Sequence, residues 1–189
     1  MRVILSFGAN EAGSFGLPVA CFSHVIGELN DWGLDIQEIS SVYLSPSLGA
    51  RHLAPYYNLV ISGFTTFHPN RLMKKFKQLE RASGRKGQVI WGSRPLDIDI
   101  IDFNGVIHNW LFCAHRLKNR KKYHRSKVRP LAYPHQDMHH RAFVLKPLAE
   151  ILPTWRHPVF GLSAAHLMRL NCSPLVIRST EKLDISLDL

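Results

Sequence analysis

The sequence predicts an α+β domain, on two observations. Runs with strand period and runs with helix period both recur along its 189 residues, and two strand runs follow one another with only a loop between them. Helices between all the strands would have meant a parallel sheet, whereas strand runs joined directly by a loop mean neighbouring strands.

Residues 2–9 read as a strand. A turn through Gly13 and Gly16 then delivers the chain to Pro18, whose fixed φ and missing N–H suit the first turn of a helix. Val19, Phe22, Ile26 and Leu29 continue at helical spacing to Asp31, with Gly33 as the stop. Residues 36–46 and 56–67 are rich in β-branched and aromatic side chains and read as two strands, separated by a loop from Pro46 to His52. A second helix starts near Pro69, shows Leu72, Phe76 and Leu79 on one face, and ends at Ser83-Gly84. Residues 95–103 alternate apolar and acidic side chains, the pattern of a strand with one buried face. Two helices follow at 142–152 and 163–170, the second capped by Ser163, and Leu175-Val176-Ile177 reads as a last short strand.

A composition with 46% apolar residues fits a single globular domain over residues 1–189, and no stretch approaches the ~20 apolar residues of a membrane span. A cytoplasmic address is expected. Cys21, Cys113 and Cys172 are odd in number and widely spaced, so neither a disulfide framework nor a zinc ribbon is indicated. The net charge of +10 resembles a nucleic-acid signal, yet eight Lys/Arg lie between residues 116 and 129, within a basic insertion at 107–129. Cys113, His115 and His124, even with His135, His139 and His140, match no zinc spacing. Gly8, Gly13 and Gly16 are not followed by Gly-Lys-Ser/Thr, so they mark a turn rather than a phosphate loop.

The chemistry concentrates on the strand at 95–103. Residues i and i+2 of a strand share a face, so Asp97 and Asp99 project together while Leu96, Ile98 and Ile100 enter the core. Two like charges roughly 7 Å apart are unfavourable unless a cation or basic groups lie between them, and a hard cation such as Mg²⁺ accepts one or two carboxylates, completing its shell with water and phosphate oxygens. Trp91 and the guanidinium groups of Arg85 and Arg94 flank the pair. Taken singly these read as core and surface residues; together they offer a stacking face and bidentate phosphate partners.

The chain resembles the hydroxymethyldihydropterin pyrophosphokinase family over nearly its whole length. The matching pieces are Phe7-Gly8-Ala9-Asn10, the run Ser41 to Gly49, Tyr56-Tyr57-Asn58, Glu80, Gly84-Arg85, the block Trp91 to Ile100, Pro134-His135-Gln136-Asp137-Met138, and Arg141 to Leu145. The resemblance implies a ferredoxin-like, mainly antiparallel α+β fold. It also implies transfer of the β,γ-pyrophosphoryl group of ATP to the pterin hydroxymethyl, with release of AMP. Two Mg²⁺ ions would be held by Asp97 and Asp99, and Arg85 and Arg94 would be catalytic. Ser45, Pro46, Leu48, Tyr56, Asn58, Trp91 and Phe143 would bind the pterin; Lys77, Glu80, Arg94, Ile100, His135 and Arg141 would bind ATP. A monomer is expected. The Gly84–Trp91 loop is shorter than the family pattern, Pro130 stands where an arginine is expected, and the basic insertion has no family role. Two alternative readings are a nucleic-acid-binding module using the basic arm, with Tyr123 for stacking, and a kinase for another pterin.

Overall fold

A computed structural model describes residues 1–47, 54–85, 93–110 and 130–189. Their strands form one sheet ordered β5-β1-β4-β3-β6, and a further strand, β2, pairs with β4 beside β3. The strands are β1 (Arg2–Ala9), β2 (Asp35–Ile39), β3 (Tyr43–Ser45), β4 (Tyr56–Phe64), β5 (Asp97–Phe103) and β6 (Glu181–Lys182). Every pairing is antiparallel, and the fold is ferredoxin-like α+β.

Helix α1 (Pro18–Asp31) opens on proline and buries Cys21, Phe22, Val25, Ile26 and Leu29; Gly33 then takes the left-handed φ of 84° that ends it. Helix α2 (Pro69–Ala82) is capped by His68, whose ring accepts the Asn70 N–H, and turns Leu72, Phe76 and Leu79 inward. Both helices pack on one sheet face against Val3, Leu5, Phe7, Leu59, Ile61, Ile98 and Ile100. The other face carries Ile4, Val60 and Ile101 under α3 (Ala142–Ile151) and α4 (Ala164–Asn171). Ser163 caps α4 as the sequence predicts, accepting the His166 N–H at 3.3 Å.

Two sequence expectations are corrected. The strand predicted at 36–46 is divided at Ser40–Val42, where the Ser40 hydroxyl accepts the Val60 N–H and interrupts the ladder. Leu175–Ile177 is not a strand: it lies in α5 (Pro174–Arg178), where Ser173 accepts the Val176 N–H and Pro174 takes the first helical position. The two-residue β6 follows that helix. No helix among the described residues is long and apolar enough to cross a membrane.

Glycine marks one close approach. A Cβ on Gly13 would stand 2.1 Å from the Ser83 carbonyl oxygen and 2.6 Å from Pro95 Cβ, so glycine alone lets the β1–α1 turn meet the chain on either side of the α2–β5 connection. Gly27, in α1, faces open space. The same substitution should therefore act with opposite sign: in urea melts, Gly13→Ala loses about 2 kcal/mol through overpacking, and Gly27→Ala gains about 0.5–1 kcal/mol through helix propensity.

His157 is fully buried against Trp110, Trp155 and Phe160. Its Nδ1 accepts the Val159 N–H, and burial, reinforced by nearby His139, pushes its pKa down to about 4. The unfolded chain binds this proton near pH 6.5 while the folded chain does not, so stability should fall as pH drops from about 6.5 to 4. The loss through His157 is on the order of 3 kcal/mol by pH 4. His157→Phe should flatten that slope in thermal melts taken across this range.

Candidate active site

Strand alternation brings the polar residues to one end of the α3 face. The register sets Asp99 opposite Ser6, Asp97 opposite Gly8, Gly8 opposite Asn58, Asn58 opposite Tyr43, and Tyr56 opposite Ser45. All of these share the face of Ile4 and Val60, so the apolar half of that face packs against α3 and the polar half forms the site.

The carboxylates on edge strand β5 are held by cations from both flanking connections. Asp97 accepts from Arg85 at 2.9 Å through Oδ1 and from Arg94 at 2.6 Å through Oδ2. Asp99 accepts from Arg141 at 3.3 Å, and His135 Nε2 lies 3.7 Å from it. Burial disfavours the Asp99 anion, but His135, Arg141, Lys77 and Arg94 together outweigh it and hold the carboxyl below its usual range. For His135 the balance runs the other way: burial and Arg141 hold it below the usual histidine value despite Asp99 and Asp137. Its Nδ1 accepts the Asp137 N–H, so the neutral ring carries its proton on Nε2, the nitrogen facing Asp99. The His135 N–H itself donates to the Ile101 carbonyl at 2.8 Å, which fixes this segment along β5.

Glu80 is 2% exposed, yet it receives Lys77 at 2.6 Å, Arg85 at 2.5 Å and the Ile98 N–H at 3.1 Å. Burial is the main reason its pKa is raised, with Lys77 and Arg85 opposing. Three donors on one carboxyl require an acceptor, so it works as a carboxylate that ties α2 to β5. Arg85 thus spans Glu80 and Asp97, and its own pKa is raised because these two acids outweigh the effect of burial.

Asn58 is buried; its side-chain NH₂ donates to the Tyr56 and Tyr43 carbonyls and to Ser45 Oγ, at 2.9, 3.2 and 3.1 Å. With the nitrogen anchored, Oδ1 faces Gly8, where an added Cβ would stand 3.8 Å from it and 3.9 Å from the Tyr56 ring. Glycine therefore leaves a depression the width of one side chain between the Asn58 amide and the Asp97 carboxylate. Burial raises the Tyr56 hydroxyl pKa, and Arg94 and Asp97 both act on it, which places that ring beside the charged cluster.

Residues 4–153 match the model of the 7,8-dihydro-6-hydroxymethylpterin-pyrophosphokinase (HPPK) family. The chain belongs to this family. It is 30% identical over 158 residues to the 2-amino-4-hydroxy-6-hydroxymethyldihydropteridine pyrophosphokinase of Aquifex aeolicus, covering 84% of each chain. It is 31% identical over 169 residues to the folic acid synthesis protein FOL1 of Dictyostelium discoideum, covering 89% of this chain and 22% of that protein. Its fold is like that of Plasmodium falciparum HPPK-DHPS, with a TM-score of 0.70 and 13% identity, over 97% of this chain and 49% of the other. Membership makes the chain a pyrophosphokinase of folate synthesis, with ATP as the donor and hydroxymethyldihydropterin as the acceptor.

Within this HPPK chain the charged residues form two networks on neighbouring positions of β5: Lys77, Glu80, Arg85 and Arg94 gather around Asp97, and His135 and Arg141 around Asp99. Ser45, Tyr56 and Asn58 meet beside it, and the exposed Pro46 follows β3. Phe143 is half-buried, with the Arg141 guanidinium 5.8 Å from its ring centre. Ile100 enters the core as the sequence predicts, on the α1–α2 side of the sheet, so any contact it makes with a nucleotide would come from its main chain. Leu48, Trp91, and the Tyr123 and Cys113 of the basic insertion lie outside the described residues.

Two residues of the matching motifs had no assigned role and gain one. Asn10 receives the Arg94 N–H on Oδ1 at 2.7 Å, donates its own N–H to the Arg94 carbonyl, and reaches Ala54 O with its side-chain amide. It therefore joins the segments that enter β4 and β5. Asp137 pairs with Arg141 at 3.4 Å and orients His135. An amide just past a strand end is the only sequence signal for Asn10; nothing local marks Asp137. Removing the central acid should be costly: Glu80→Ala is expected to lose about 2 kcal/mol in urea unfolding, less than a fully buried pair because Lys77 and Arg85 reach water.

Proposed function

We propose that the polar half of this sheet face performs magnesium-dependent transfer, with Asp97 and Asp99 as the metal ligands for two ions. The observation that carries the reading is the juxtaposition of an acid pair, ringed by arginines, with the Asn58–Gly8 depression across β1. The donors fit the metal: both are hard carboxylate oxygens on one strand face, half-exposed. Among the described residues no group of three or more His, Cys, Asp or Glu could hold an ion alone. Two carboxylates suffice for Mg²⁺ only when phosphate oxygens and water complete the shell, so the ions would arrive with the nucleotide.

In this reading the pterin ring fills the depression over Gly8, with its rim read by Asn58 Oδ1 and by the main chain around Ser45, Pro46 and Leu48. Tyr56, Trp91 and Phe143 supply its faces. Arg141, His135, Lys77 and Glu80, with the Ile100 main chain, would position ATP, and Arg85 and Arg94 would turn from Asp97 to the phosphates. The hydroxymethyl oxygen forms a bond to the β-phosphorus and gives up its proton to water, the bond from that phosphorus to the α–β bridging oxygen breaks, and the bridging oxygen leaves on AMP. Bound magnesium would draw charge from the phosphate oxygens during this exchange. The chain's own part is alignment and charge neutralisation, which phosphoryl-type transfer chiefly needs. The enzyme is read as a monomer of the cytoplasm, with the buried, unpaired thiols of Cys21 and Cys172 as support for a reducing compartment.

The test is AMP formation from ATP, hydroxymethyldihydropterin and Mg²⁺. EDTA should stop it, and Asp97→Ala or Asp99→Ala should lower turnover by about a thousandfold with the melting temperature nearly unchanged. Full activity in EDTA, or in either variant, would remove the metal assignment; absence of AMP with the intact chain would remove the reaction.

A further inference from the structure

Glu150, on the last turn of α3, stands apart from the charged residues around Asp97 and Asp99 and gathers the opposite side of the site. Its carboxylate accepts the Ser41 N–H at 3.1 Å, the Ser41 hydroxyl at 2.8 Å and the Lys182 ammonium at 2.7 Å. The Tyr43 hydroxyl lies close enough to feel this carboxylate: burial first, and then the negative charge of Glu150, push Tyr43 up to about 12. One side chain thus links α3, the lead into β3, β3 itself and β6.

What it links is a weak element. β3 has three residues, and among the described residues its side away from β4 is paired only with the two residues of β6. β6 is in turn held by Leu183 N–H on the Val42 carbonyl at 2.8 Å and by Lys146, from α3, on the Thr180 carbonyl at 2.5 Å. Strands this short do not hold their place unaided. Yet β3 supplies two of the three acceptors that orient the Asn58 amide, the Tyr43 carbonyl and Ser45 Oγ. If β3 moves, Asn58 loses the anchors that turn Oδ1 toward the depression. Residues 154–189, which include β6 and Lys182, lie beyond the span matched by the family model, so this support comes from a part of the chain the family motifs do not include.

We propose that Glu150 is a positioning residue for pterin recognition, acting through Ser41, Tyr43 and Lys182 to fix β3 and through β3 to fix Asn58. The proposal rests on the reading of Asn58 as the group that meets the pterin rim. Nucleotide positioning belongs to β5 and its flanking segments, so the effect is confined to one substrate.

The experiment is steady-state kinetics of Glu150→Ala with each substrate varied in turn, together with amide hydrogen exchange of residues 43–45. KM for the pterin should rise about fivefold while kcat and the KM for ATP stay within about twofold, the size expected when one anchoring hydrogen-bond set is lost. Exchange at 43–45 should accelerate, and Glu150→Gln, which keeps an acceptor for Ser41, should recover part of both effects. An unchanged pterin KM in folded Glu150→Ala, or an ATP KM that rises in step, overturns the proposal. If Glu150→Ala does not fold, Lys182→Met at the exposed end of the pair gives the same readings. Failure of the intact chain to form AMP would count against the pterin reading alone. The exchange measurement needs no substrate, and unchanged exchange overturns the latch whichever way the activity falls.

Discussion

Two aspartates at i and i+2 on an edge strand create the constraint from which the site follows. Their charges share one face, roughly 7 Å apart by strand geometry, and neither is free to turn into the core that Ile98 and Ile100 fill. Such a pair persists only where positive groups surround it. Those groups come from the two connections that border β5: Arg85 and Arg94 from the segment before it, His135 and Arg141 from the segment that returns along it. The position of the acids along the chain thus decides which loops must converge, and Glu80 and Asn10 keep the first of those loops in place.

The division of one sheet face into an apolar and a polar half couples the site to the core. Val144, Leu145 and Leu148 of α3 pack on Ile4, Val60 and Ile101, and this packing delivers the start of the helix, with Arg141, to Asp99. The far turn of the same helix delivers Glu150 to the β3 side. One buried helix therefore spans both substrate regions of the proposed site, the nucleotide side at its first residue and the pterin side near its last. A change in how α3 seats on the sheet would be felt at both.

Much of the fold was legible because its signals are local. Pro18 and Pro69 mark helix starts, Gly33 and Gly84 mark helix ends, and alternation at 97–101 shows which side chains face the site. At Leu175–Ile177 the β-branched side chains favour a strand, but the Ser173-Pro174 start signal prevails, because a capped helix as short as α5 tolerates two such residues. The division at Ser40–Val42 could not be read, because it depends on a hydroxyl meeting a main-chain group twenty residues away in the chain. The same holds for the site. Asp97 and Asp99 announce themselves by spacing, whereas Asn10, Asp137 and Glu150 act on segments that only the folded chain brings near.

The charges in the cluster are nearly balanced before any substrate binds. Glu80, Asp97, Asp99 and Asp137 face Lys77, Arg85, Arg94 and Arg141, with a His135 that burial keeps neutral. Each oxygen of Asp97 already accepts a guanidinium N–H, so a cation approaching that carboxylate meets two positive groups beside it. Displaced alone, the arginines would lose charge-assisted hydrogen bonds, and a bare divalent ion would gain little net attraction from a balanced cluster. Displaced while polyphosphate arrives, they would exchange one anion for another, and under the proposed metal assignment the ion would reach Asp97 as they leave. The geometry thus favours joint entry of metal and nucleotide over either alone. In the proposed reaction Arg85 and Arg94 would have two successive partners, Asp97 as the structure shows them and the phosphates once nucleotide is bound.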